Sequence, residues 1–123
     1  MNNELTERFN FCDSLIRTIC IAYEPSGQRQ IETRIAARDN AEPANDGWVC
    51  VRLVLKNVRD YCFADSANTT AVVVSNGLHV STFGDIRAVD FGYLLDPPES
   101  LTEQMASRFF ATCDAVDWNV EPY

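Results

Sequence analysis

Between Thr69 and Gly92 the chain reads Thr-Thr-Ala-Val-Val-Val-Ser-Asn-Gly-Leu-His-Val-Ser-Thr-Phe-Gly-Asp-Ile-Arg-Ala-Val-Asp-Phe-Gly. Three short β-rich runs are divided by two turn signals, Asn76-Gly77 and Gly84-Asp85. Asn-Gly between apolar runs is the strongest short-range hairpin signal, because both residues tolerate positive φ. The pattern predicts a three-stranded antiparallel meander, whose apolar face the rest of the chain must cover.

The remaining segments supply the cover. Asn3 to Phe9 predicts one or two helical turns with Asn3 as N-cap. Ser14 to Glu24 reads as a strand with Leu15, Ile19, Ile21 and Tyr23 on the face of Arg17. Pro25-Ser26-Gly27 turns the chain. Arg29 to Arg38 alternates, with Ile31, Thr33, Ile35 and Ala37 inward and Gln30, Glu32, Arg34 and Arg38 outward. Asp39 to Gly47 is loop, and Trp48 to Lys56 is a strand with Val49, Val51, Leu53 and Leu55 inward. Asn57 interrupts that pattern; Val58 to Phe63 reads as a short edge strand or a bulged continuation, and Asp65 to Asn68 as a loop.

After Gly92, Pro97-Pro98 takes the chain out of the sheet. Ser100-Leu101-Thr102-Glu103 matches a capping box, and Leu101, Met105 and Phe109 fall on one helical face. The expected helix ends near Phe110, with Ala111 to Asp114 a connector. Ala115 to Glu121 is a last strand, with Val116, Trp118 and Val120 inward. The expectation is therefore mainly β, α+β at the margin. It is one globular domain over residues 1–123, an antiparallel sandwich or partly open barrel of about eight strands with one short helix in the C-terminal half.

A chain of 123 residues buries enough surface to fold without a metal or disulfide staple. The five cysteines, at positions 12, 20, 50, 62 and 113, form no Cys-x-x-Cys pair, and there is one histidine. Neither zinc nor another cofactor is called for, and free thiols acting as small apolar fillers fit a reducing compartment. No run of about 20 apolar residues occurs, and the opening residues lack the pattern of a signal peptide. A cytoplasmic location is the expectation.

The formal net charge of −8 is uneven: 10 acids against 8 Lys/Arg up to residue 83, then 8 acids against 2 Arg. Such a chain repels nucleic acid and anionic membranes and suits a basic protein partner. Asp85, Asp96, Glu99, Asp117 and Glu121 are the candidate partner-binding acids, and Asp117 and Glu121 are the best placed, facing outward on the last strand. No catalytic residue is singled out. Asp90-Phe91-Gly92 matches the kinase magnesium triplet, but no Gly-rich or His-Arg-Asp loop accompanies it. His79, Ser81 and Asp85 make a poor triad, with no nucleophile elbow. No spacing supports Cys12 or Cys62 as a nucleophile paired with His79, and no basic-aromatic patch is visible.

Phe11-Cys12-Asp13-Ser14, followed by an Ile-rich strand and a turn, resembles the opening of certain small acidic bacterial proteins that include immunity proteins of toxin systems. Those usually read Phe-His-Asp-Ser, so Cys12 stands where the histidine would be. Trp48 to Tyr61, ending in Val58-Arg59-Asp60, resembles their middle strand. The resemblance implies a β-rich, non-enzymatic, acidic protein. The leading expectation is a small protein-binding module, of immunity type, that masks a basic partner. The alternatives are a small enzyme with a carboxylate- or thiol-based site and a structural subunit without independent activity.

The odd, scattered cysteines predict five reduced thiols. Alkylation of the unfolded protein without reductant should modify all five; three or fewer would mean that disulfides form.

Overall fold

The computed structural model of the chain describes residues 4–41, 44–64 and 73–123. A short helix α1 (Glu4–Arg8) leads into strands β1 (Phe9–Tyr23) and β2 (Arg29–Asp39). A 3-10 turn (Ala44–Gly47) precedes β3 (Trp48–Val58), followed by β4 (Tyr61–Phe63), β5 (Val73–Val74), β6 (His79–Phe83) and β7 (Ile86–Asp90). Helix α2 (Leu101–Met105) separates these from β8 (Phe109–Cys113) and β9 (Ala115–Glu121). The strands form two antiparallel sheets, one of five strands in the order β5-β1-β2-β3-β9 and one of four in the order β4-β8-β7-β6. The architecture is a mainly-β sandwich, not a closed barrel.

The alternation in β2 and β3 is the reason for the sandwich. Ile31, Ile35, Val51, Leu53 and Leu55 are wholly removed from water, and with Ala37 and Val49 they form the inner face of the larger sheet. Val89, Phe91, Phe109, Ala111 and Cys113 of the smaller sheet belong to the same core. Each large aliphatic side chain so buried is worth about 1.5–3 kcal/mol.

The sheets share a corner. The chain leaves the larger sheet between β3 and β4 and re-enters it between β8 and β9. Asn57 turns the first crossing with a φ of 52°. The crossings are stitched together by Asp114 N–H donating to the Lys56 carbonyl (3.0 Å) and Arg59 N–H donating to the Thr112 carbonyl (2.8 Å). The Asp114 carboxylate accepts from the Asn57 amide (2.5 Å) and from the Arg59 guanidinium (2.8 Å). The edge strand expected after Asn57 is β4.

Three expectations are corrected. The run from Thr69 to Gly92 is not one meander. Thr69 to Val72, the loop Asp65 to Asn68 and Asn3 all lie outside the described residues. Val73 and Val74, however, pair with Leu15 and Ser14 of β1, in the opposite sheet from β6 and β7. Asn76-Gly77 therefore turns the chain from one sheet to the other, and only Gly84-Asp85 closes a hairpin between paired strands. Fully buried Val74 gains more from the core than it could from an exposed β5–β6 pairing.

The phase of β1 also differs. Its strand begins at Phe9, with Phe9 and Phe11 buried. A register shift at Asp13, whose φ is 59°, then turns Ser14 and Ile16 inward in place of Leu15, and a second shift between Ile16 and Thr18 restores the expected phase, with Ile19 and Ile21 opposite Thr33 and Ile31. A bulge inserts one residue and so exchanges the two faces.

The third correction concerns the C-terminal helix. Ser100 caps it as expected, its Oγ accepting from Glu103 N–H (3.2 Å). The helix ends at Met105, which is exposed, and the supposed connector is strand β8. All five β8 residues are buried, so a strand covered on both faces shows no period-2 signal. Val120, expected inward on β9, is exposed on that edge strand.

Thr33 lies on the inner face with no exposed surface, and its hydroxyl has no hydrogen-bond partner among the described residues. An unpaired buried hydroxyl costs about 1–3 kcal/mol. Thr33→Val should therefore raise stability in urea denaturation, by about 1 kcal/mol. A fall would show that the hydroxyl is satisfied.

Candidate functional site

The residues from Phe91 to Arg108 form a cap on the four-stranded sheet, and its anchor is Asp90. This carboxylate has no exposed surface. Its Oδ2 accepts from Leu94 N–H (2.9 Å) and its Oδ1 from the Gln104 side-chain amide (3.3 Å). A buried carboxylate is tolerated only when such donors replace its water. His79, the residue opposite Asp90 in the β6–β7 register, donates from Nε2 to the Leu94 carbonyl (3.1 Å). Both backbone groups of Leu94 are thus held by side chains of the sheet beneath.

Gly92 lets the cap start. Its φ is 86°, and a Cβ there would stand 2.8 Å from Val74 Cγ1 and 3.0 Å from backbone atoms of Val74 and Ser75. The Asn76 amide donates to the Gly92 carbonyl (3.0 Å). Asp90-Phe91-Gly92 is therefore a structural unit: a buried anchor, a core phenylalanine and a glycine at a close crossing.

Leu94 and Gln104 are drawn to one carboxylate, and residues beside each of them are exposed. Leu95 is 74% exposed, Tyr93 45% and Met105 43%. Asp96, Glu99 and Glu103 of the same segment are also exposed. Tyr93 is braced by the Phe109 ring, 6.0 Å away between centroids. Exposed aromatic, Leu and Met side chains rimmed by charge are the composition of protein interfaces.

The five acids expected to form one docking face are not brought together. Asp96 and Glu99 lie in the cap. Asp85 lies in the β6–β7 turn, separated from the cap by the length of β7, about 15 Å at the ordinary strand rise. Asp117 and Glu121 lie on β9, on the outer face of the other sheet, and both are in ion pairs: Asp117 with Lys56 (2.7 Å) and Glu121 with Arg34 (2.8 Å). Glu32 joins that face by pairing with Arg34 and with Arg52 (3.0 Å). The hydrogen bond from Arg52, helped by the charge of Arg34, holds the Glu32 carboxyl below its usual range.

The same face carries a basic-aromatic cluster that the linear sequence did not show. The Arg38 guanidinium lies 5.1 Å from the Trp48 ring centroid and that of Arg17 lies 5.5 Å from Tyr123, with the two rings 6.1 Å apart. These residues are scattered over more than a hundred positions: register pairs Arg38 with Trp48, and the sheet order brings Arg17 and Tyr123 beside them.

The geometry does not assemble the catalytic alternatives. Cys62, Phe110, Asp90 and His79 occupy one row across the four strands, so about 14 Å separates the Cys62 and His79 backbones at the usual strand spacing. Cys12 lies against Gly77, where an added Cβ would meet its Sγ at 3.3 Å, while the His79 ring is directed to Leu94. Burial pushes the Cys113 thiol up to about 11, and burial also raises Cys50, the opposite of an activated thiolate. No group of three or more His, Cys, Asp or Glu side chains is arranged to hold a metal among the described residues. No helix among them is long and apolar enough to cross a membrane.

Comparison with protein-family models, curated proteins and solved structures finds no match to this chain. The two stretches that carry the bacterial resemblance have clear structural duties here. Phe11 to Ser14 forms the β1 bulge, and Val58 to Asp60 forms the first crossing at the corner.

Asp39 provides a pH test of this framework. It is buried at the end of β2, accepting from Arg8 (2.8 Å) and from Ala41 N–H (3.0 Å). Arg8 chiefly, and then the Ala41 N–H, hold its carboxyl below the ordinary value of 3.8. A carboxyl with a depressed folded-state pKa stabilises fully above its unfolded value, and that stability is lost as pH falls through the folded value. Asp39→Asn should lower the Tm at neutral pH. The gap from wild type should close as pH falls below the ordinary carboxylate range and the native carboxyl is protonated. A gap that stays constant to about pH 2 would mean the ion pair contributes nothing.

Proposed function

We propose that this protein is a small, non-catalytic, cytoplasmic protein-binding module of the immunity type, which masks a basic partner on its cap. One observation carries the reading: Tyr93, Leu95 and Met105 are exposed on a segment held through Asp90, and the same segment carries the exposed acids Asp96, Glu99 and Glu103. The apolar side chains supply contact area. The acids speed encounter with a basic surface and select for it. A rigid cap loses little conformational entropy on docking. The immunity-type part of the reading rests on the resemblance at Phe11 to Ser14 and Val58 to Asp60. Both oxygens of Asp90 are engaged within the cap, which favours an anchor over acid–base chemistry at that residue.

Asp117 and Glu121 are reassigned from docking to the sheet, because their partners Lys56 and Arg34 lie on neighbouring strands. The test uses a fluorescein-labelled eight-residue peptide alternating Lys and Leu, followed by anisotropy. Wild type should bind it, and binding should weaken steeply with salt, since charges are screened over about 8 Å at physiological ionic strength. Leu95→Ser combined with Glu99→Lys should weaken binding at least tenfold, with an unchanged circular dichroism spectrum. Equal binding by both proteins, without salt dependence, would defeat the proposal.

A further inference from the structure

The cations on the outer face of the five-stranded sheet fall into two sets. Arg34, Arg52 and Lys56 each have a carboxylate partner on that face. Arg17 and Arg38 are in no ion pair among the described residues, although acids outnumber Lys/Arg in this chain by 18 to 10. Both are exposed, and each lies against an aromatic ring instead. Arg17 also donates to the Tyr123 hydroxyl at 3.4 Å. Beside Arg38 and Trp48 opens a depression of about 330 Å³, completed by Asn10, Cys12 and Asp13.

We infer that this end of the sheet face is a second docking surface, and that its occupant is an acidic, extended peptide segment of a partner protein. Charge complementarity and preorganisation both favour that occupant. A guanidinium held against a ring keeps most of its planar donors available for a carboxylate, and less side-chain freedom remains to be lost. Two such groups, separated by the Trp48–Tyr123 pair, match two carboxylates carried on one face of an extended segment. An apolar side chain lying between them on that same face would rest on the rings or in the depression. Two cations without ion pairs among the described residues, beside Asp13 in the wall of the depression, suit a segment bearing two carboxylates rather than a polyphosphate, which draws its affinity from many cations. The surface is distinct in position and in charge from the acidic cap, and the inference does not depend on the cap reading.

The test uses a fluorescein-labelled peptide Asp-Ser-Leu-Ser-Asp-Ser-Leu-Ser, which when extended carries Asp and Leu in turn on one face (the Asp–Leu peptide), with the same peptide bearing Ser in place of Asp (the Ser–Leu peptide) and a single-stranded oligouridylate as comparisons. Wild type should bind the Asp–Leu peptide at least tenfold more tightly than either. Arg17→Gln with Arg38→Gln should remove that preference while leaving the circular dichroism spectrum and Tm unchanged, because both side chains are exposed. Arg17→Lys with Arg38→Lys keeps the charge but loses the planar fork, and should weaken binding severalfold. The cap variant Leu95→Ser with Glu99→Lys should bind the Asp–Leu peptide as wild type does, which separates failure here from failure at the cap. Equal affinity for the Asp–Leu and Ser–Leu peptides, undiminished binding by the Gln double variant, or tighter binding of the oligouridylate would each overturn the inference.

Discussion

Burial of the inner faces of β2 and β3 is the constraint on which the molecule depends. Five large aliphatic side chains there are wholly inaccessible to water. At about 1.5–3 kcal/mol each they outweigh the exposed ion pairs, which contribute about 0–1 kcal/mol apiece. The second sheet exists to cover that face. Val74 follows the same rule: two residues of β5 join the larger sheet, although the chain on their C-terminal side goes on to the smaller one.

Polar anchors then decide where the connections run. Asp90 and His79 grip the two backbone groups of Leu94, and Gln104 is brought to the same carboxylate. Asp114 does the equivalent work at the corner, accepting from Asn57 and Arg59 and kept ionised to lower pH than usual by those contacts, Asn57 first. These carboxylates act on architecture, and they count among the acids that make the chain look uniformly negative. The cap's apolar side chains are displayed because the backbone beneath them is held from below.

Net charge is accordingly a poor guide to this surface. Of the eight acids after residue 83, Asp90 is buried, and Asp114, Asp117 and Glu121 are paired with Arg59, Lys56 and Arg34. The acidic character that remains available is concentrated in the cap. The outer face of the larger sheet instead mixes ion-pair ladders with two arginines stacked on aromatic rings. The cap and the outer sheet face thus differ in surface chemistry, although the overall charge is −8.

Local patterning was enough for α1, β2, β3, the β6–β7 hairpin, the Ser100 cap and β9, because each carries its signal within a few residues: alternation, a turn pair or a capping side chain. It was also enough for the mainly-β class. Tertiary structure alone decided the rest. The bulge at Asp13 exchanged the faces of β1 from Ser14 to Ile16, and burial on both sides hid β8, since a strand with no solvent face has no alternation to read. Asn76-Gly77 kept its turn chemistry but joined two sheets, because the core rewarded Val74 more than a local hairpin could. Asp96 and Glu99 kept their exposed place, whereas Asp117 and Glu121 found cations on neighbouring strands. Pairing of charges, like the gathering of Arg17, Arg38, Trp48 and Tyr123, is fixed by sheet order and cross-strand register, and register is set by which faces the whole fold buries.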